Sequence, residues 1–269
     1  MEIALVQVAS PPQEPVAERI ERVGALVRAQ ARGADLVVLP ELWSAGYFAF
    51  EEYEARAEPV VGGPTVAAGR VWARELGAHI ALGSVVERSD EGLHNTAVVL
   101  APDGSVLHSY RKMHVFGYAS REAELLRPGR TAGVFDTPWG VTGATTCYDL
   151  RFPELYRVLI DQGARSVIVP AAWPAARLEH WRLFTTVRAV EQQVLLIACN
   201  GVGVQDGDVR LAGHSRVVDP WGEVLVEAGD EEQVVTCRVD PQVVDAVRNR
   251  FPALSDRRID LPAGLVPTT

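Results

Sequence analysis

The chain has 269 residues, 48% hydrophobic and 23% charged, an ordinary globular balance that can bury a large core in one or two domains. Its formal net charge of −9 argues against a nucleic-acid-binding surface, yet leaves room for an anionic small molecule held by a local arginine. Three widely spaced cysteines, Cys147, Cys199 and Cys237, argue against a disulfide framework or a zinc site and for a reducing, cytoplasmic setting.

The opening "MEIALVQVAS" lacks the basic leader and cleavage site of a signal peptide and reads as a buried first strand. Pro15 opens a helix whose Val16, Ile20, Val23 and Val27 recur at helical spacing up to about Gly33. "ADLVVLP" is a buried strand stopped by Pro40, "TVAAGRVWARELG" a helix and "HIALGSVVE" a strand. "NTAVVLAPDGSVLHSY" reads as two strands joined at Pro102-Asp103-Gly104. The alternation then returns: strands around Pro138-Trp139-Gly140, a helix from about Phe152 to Gln162, the strand "SVIVP", the helix "HWRLFTTVRAVEQQ", the strand "VLLIACN" and a hairpin at Asp219-Pro220-Trp221-Gly222. Charges and prolines break every apolar run before the ~18 residues of a membrane span, so no membrane partner is expected. The pattern predicts one α/β domain over 1–269 with mixed sheets, residues 252–269 forming a C-terminal tail.

Three reactive side chains stand at the ends of predicted strands: Glu41 after "DLVVLP", Lys112 after "SVLHSYR" and Cys147 after "VTGATT". Sites in open α/β sheets collect beyond the carboxyl ends of strands. A thiol, a carboxylate to take its proton and an ammonium to hold an oxyanion suit covalent hydrolysis of a C–N bond through a thioester. Taken singly, each has a plainer reading: Cys147 as a core thiol, Glu41 and Lys112 as solvated surface charges. Cys199 in "LLIACN" and Cys237 in "VVTCRV" read as core thiols.

The segments around these residues, "VVLPELW", "YRKMHVFG" and "TTCYDLRFPELYR", occur in the order of the three signatures of the nitrilase (carbon–nitrogen hydrolase) superfamily, which the chain resembles over nearly its whole length. The resemblance implies a four-layer αββα sandwich, paired as a homodimer or higher homo-oligomer. It implies Glu41 as general base, Lys112 as oxyanion stabiliser and Cys147 as nucleophile, with the Tyr148 backbone N–H helping to hold the oxyanion. A further family glutamate falls on Glu122, six residues before Pro128-Gly129, as a pocket residue orienting Lys112 or the substrate; Glu124 is the alternative. No cofactor and no metal are implied, and His114, His180 and His214 show no ligand spacing.

"CYDLRFPELYR", "EHWRLFTTVRAVEQQ" and "GHSRVVDPWGEVL" look most like the compact ω-amidase group, whose substrates are monoamides of small dicarboxylic acids such as 2-oxoglutaramate. Such a small-molecule amide carries a remote carboxylate, for which Arg177 in "PAARLEHW" is the candidate clamp; the plainer reading pairs it with Glu179 or with solvent. Trp173, directly after "VIVPAA", is expected to line the pocket, whereas Tyr47, Phe48 and Phe116 read equally as wall or core. Arg151 and Glu154, like Arg188 and Glu191, are spaced to pair along their own helices, or else to brace the turn at Cys147 from behind. The alternatives are an amidase for deaminated glutathione or an N-carbamoyl amino acid, a nitrilase, a catalytically silent scaffolding subunit, or a thiol switch.

Overall fold

Strand β1 (Glu2–Gln7), the buried opening run, lies inside a sheet and not at its edge. It is followed across that sheet by β2 (Leu36–Val38), β3 (His79–Ser89), β4 (Gly92–Leu100) and β5 (Val106–Arg111). The first three are parallel, joined by helix α1 (Val16–Gln30) and then by the short helix α2 (Tyr53–Arg56) and helix α3 (Pro64–Leu76). Strands β4 and β5 return as antiparallel hairpins. The computed structural model describes residues 1–118, 120–205 and 209–258.

A one-turn helix α4 (Glu122–Leu125) leads to the second sheet. Here β6 (Val134–Thr137), β7 (Gly140–Ala144), β8 (Ser166–Ala171) and β9 (Leu195–Asn200) are neighbours, with α5 (Pro153–Asp161) and α6 (Leu178–Gln192) as crossovers between the parallel strands β7, β8 and β9. A separate ribbon, β10 (Val202–Val204) with β11 (Arg210–Ala212), precedes β12 (Arg216–Val218) and β13 (Val224–Glu227), which complete this sheet. Strand β14 (Gln233–Arg238) then crosses back to pair antiparallel with β1, and α7 (Val243–Arg250) follows. The ribbon and β14 are elements that the local pattern did not predict. Of the tail expected over 252–269, residues 252–258 are described and the rest lies outside the described residues.

Alternation along the parallel strands builds four layers. Ile3, Leu5, Leu36 and Val38 face Ile168, Leu195, Ile197 and Val217 of the other sheet in one buried cluster. The intervening Ala4, Val6, Val37 and Leu39 pack instead on Val23, Val27, Val66 and Trp72 of α1 and α3. Leu159 of α5 and Trp181 of α6 cover Val167, Val169, Leu196 and Ala198 on the far side. Helix, sheet, sheet, helix is therefore the order of layers, and strands buried on both faces must read as unbroken apolar runs. No helix among the described residues is long and apolar enough to cross a membrane.

Candidate active site

Glu41 sits three residues beyond β2, on a turn held by the neighbouring strand. Leu42, with φ 46°, donates its N–H to Ser84 Oγ (3.0 Å), and Trp43 Nε1 donates to Leu82 O (2.8 Å). That approach is possible because residue 83 is glycine at φ +77°, where a Cβ would lie 1.8 Å from Pro40 O. Lys112 follows β5 directly. Its N–H donates to Asn95 O on β4, and its carbonyl accepts from Gly129 N, both at 2.8 Å.

Side chains from both positions meet inside the protein. Lys112 Nζ donates to Glu41 Oε1 at 2.7 Å and to both oxygens of Glu122 at 2.9 Å. Asn95 Nδ2 donates to the same Oε1 atoms, 2.8 Å from Glu41 and 2.9 Å from Glu122. Glu122 also accepts from Tyr47 OH and the Phe116 N–H, whereas Glu124 lies on the surface beside Arg121.

Cys147 opens a tight turn (Cys147–Arg151) in a left-handed conformation, φ 48°, that a non-glycine residue adopts only under constraint. Asp149 supplies the constraint. Its carboxylate accepts from Thr146 N (2.9 Å), Tyr110 OH (2.8 Å) and His114 Nδ1 (2.7 Å), tying the turn to the segment around Lys112. Arg188 Nε donates to Leu150 O at 3.0 Å and pairs with Glu191, so that helical pair braces the turn from behind. The Cys147 side chain hydrogen-bonds with Glu41, whose Oε2 also accepts from Ala172 N at 2.9 Å. Tyr148 is the second residue of the turn, and N–H groups at such a start have no partner within it.

Burial pushes the Glu41 carboxyl above the ordinary carboxylate range; the Lys112 charge opposes this and the Glu122 charge adds to it. Burial works against the Lys112 ammonium too, but the charges of Glu122 and Glu41 outweigh it and hold the lysine well above its usual value. The Cys147 thiol is pushed well up, by burial first and the Glu41 charge next. Such a cysteine rests as a thiol and can attack only as it hands its proton to a base. Glu41 is the base within reach.

Cys147 opens onto a cleft of about 350 Å³, mouth included, walled by Tyr47, Phe48, Phe116, Tyr148, Trp173 and two arginines, Arg151 and Arg177. The structure thus places all seven residues singled out from the sequence in or directly beneath this cleft. Trp173 donates its Nε1–H to Arg177 O at 2.8 Å, and the Arg177 guanidinium lies 5.4 Å from the Phe116 ring centroid. Glu179 pairs with Arg182 and not with Arg177. Arg151 differs from its expected role. It forms no ion pair with Glu154 among the described residues, and its guanidinium lies 5.0 Å from both the Trp173 and Phe184 rings. Burial and the nearby charge of Arg177 lower its pKa, as for a cation short of a counter-ion. Asn95 was missed from the sequence, and Arg151 was read there as a helical partner or brace and not as a wall of the cleft. No group of three or more histidine, cysteine or acidic side chains suited to a metal occurs among the described residues.

Residues 2–249 match the family described as carbon-nitrogen hydrolase. A "2-oxoglutaramate amidase" of Paenarthrobacter nicotinovorans is 36% identical, the alignment covering 97% of this chain and 90% of the relative. A protein of the same name from Bacillus subtilis is 35% identical, over 91% and 93% of the two chains. Among solved structures, a carbon–nitrogen hydrolase superfamily protein from Xanthomonas campestris, with an arsenic adduct in its active site, superposes with a TM-score of 0.88 at 34% identity, covering 96% and 97%.

Proposed function

The chain belongs to the carbon–nitrogen hydrolase family, and from that premise we propose that it hydrolyses the side-chain amide of a small dicarboxylic acid monoamide, such as 2-oxoglutaramate, to ammonia and the dicarboxylate. The observation that carries the reading is a buried Glu41, hydrogen-bonded to both Lys112 and Cys147, at the floor of a cleft whose charged walls are arginines.

In the proposed cycle Glu41 takes the Cys147 proton while sulfur attacks the amide carbon. Lys112, whose three N–H groups reach Glu41 Oε1 and both Glu122 oxygens, sets its positive charge beside the oxyanion and turns a donor to it from Glu122, while the Tyr148 N–H supplies a second hydrogen bond. Collapse expels the amine as Glu41 returns the proton, leaving ammonia and a thioester. Water, deprotonated by Glu41, then attacks the thioester and releases the acid and the thiol. The balance closes without a cofactor. Glu122 orients Lys112, Trp173 walls the acyl chain, and Arg177 with Arg151 holds the remote carboxylate.

The supporting test is ammonia release from 2-oxoglutaramate by the purified protein beside Cys147→Ala. Release that vanishes in the variant is the expected outcome; equal release from both would remove Cys147 as nucleophile. No release from folded, alkylatable wild-type protein would remove this substrate.

The remaining features of the proposal concern the whole chain: one domain with its C-terminal tail, a cytoplasmic setting supported by three free cysteines, and a homodimer. Exposed Leu183, Val187 and Val190 form a stripe along α6, with Trp221 and Phe251 packed beside one another nearby, and a patch of that kind favours a second copy.

A further inference from the structure

The buried cluster holds one amide that the proposed cycle does not use. Asn95 is fully buried near the middle of β4, between two carboxylates that lie on different segments. Its orientation is set by its neighbours. Both atoms facing it are carboxylate oxygens, which accept and do not donate, so the nitrogen must point toward them. Its own Oδ1 is buried and accepts from no described residue. A fold that leaves that carbonyl unpaired is holding the amide for its two N–H bonds.

Counting lone pairs shows what those bonds do. A carboxylate oxygen offers about two acceptor sites. On Glu41, Oε1 is filled by Lys112 Nζ and Asn95 Nδ2, while Oε2 accepts Ala172 N and has one site left. On Glu122, Oε1 takes the same two donors, and Oε2 takes Lys112, Tyr47 and Phe116. Among the described residues, the open site in the pair is on Glu41 Oε2.

Resting on the proposed cysteine mechanism, we infer that Asn95 is a positioning residue: it fills the second site of Glu41 Oε1 and so reserves Oε2 as the atom that takes the Cys147 proton. The proton then sits on Oε2, beside the Ala172 N–H, from where it can be returned to the departing amine. Without Asn95, Oε1 would offer a competing site.

The experiment follows alkylation of Cys147 by iodoacetamide against pH, in the full-length protein. It reads displacement of iodide by the thiol and needs no turnover of the proposed substrate, so a wrong substrate cannot disguise the result. In Asn95→Leu, of similar shape but bulkier and with no donor, the carboxylate loses a hydrogen bond that favours its charged form. Proton affinity rises, and the acid limb of the profile moves to higher pH by about one unit. The other groups facing Glu41, namely Lys112, Glu122, Cys147, Tyr47 and Tyr53, keep their places; Glu122 loses its own bond from Asn95, so the displacement reports the two carboxylates that Asn95 serves. The acid limb of kcat/KM moves with it. Asn95→Ser, whose hydroxyl serves one carboxylate at a time, gives a smaller shift and decides the question if the leucine variant fails to fold. A limb unmoved in the folded variant, even with a lower plateau, would overturn the proposal and leave Asn95 as a packing residue.

Discussion

Arg151 and Arg177 face the same cleft, and the value of each depends on what the other already holds. A carboxylate taken from water into this walled space exchanges its hydration for charge-assisted hydrogen bonds, each worth about 1.5–3 kcal/mol. Because that group lies away from the reacting amide, its contacts are alike in ground and transition states and act on KM more than on kcat. Arg177→Ala should therefore raise KM for 2-oxoglutaramate by about tenfold to a hundredfold with little change in kcat. An uncharged aliphatic amide should show no such rise; equal losses for both substrates would mean that the guanidinium shapes the cleft without binding the carboxylate. Arg151 was hidden in the sequence because "RFPE" also offers a one-turn ion pair, and spacing cannot say which way a long side chain points. Asn95 was hidden for a related reason. In "HNTAVVL" it reads as a polar residue near a strand's start, and only the meeting of Glu41 and Glu122 around it reveals a task.

At the scale of elements, Glu41 depends on a place that carries no chemistry. The bend of β3 at Gly83 admits the Pro40 carbonyl where any side chain would stand. In Gly83→Ala a methyl group must displace the Pro40–Glu41 turn, and φ +77° adds strain for a residue with a Cβ. We expect kcat to fall at least about tenfold, since misplacing a catalytic group by a fraction of an ångström is expensive. Stability should drop by about 1–3 kcal/mol, and both are read from kinetics and thermal unfolding. Wild-type kcat in the variant would show that the turn is not held by this contact. The helices and strands around that bend were legible, because amphipathic period and doubly buried runs are local signals. The motif-bearing strand ends were legible as well, although Glu41 and Cys147 stand three residues past their strands. Strand β14 was not, since what makes "QVVTCR" a strand is β1, more than 200 residues earlier in the chain.

Across the whole molecule, the outer face of α6 is apolar in a chain of net charge −9. Leu183 is 58% exposed, and its removal from water should contribute to pairing of two copies. Leu183→Glu would face its own symmetry mate across an isologous contact, placing two carboxylates where two side chains should pack. Sedimentation should find the wild-type protein dimeric and this variant shifted toward monomer with its fold retained. A wild-type monomer at high concentration would refute the dimer.

Glu41, Asn95 and Lys112 hang from the first sheet, whereas Cys147 and the Ala172 N–H hang from the second. The reacting atoms therefore span the seam where the two sheets meet, like the jaws of a caliper carried on separate arms. Any slip along that seam opens the jaws while each arm stays intact. Turnover thus becomes a gauge of docking between the halves of the sandwich, and gentle warming or mild denaturant should silence the enzyme before circular dichroism registers the loss of a single strand.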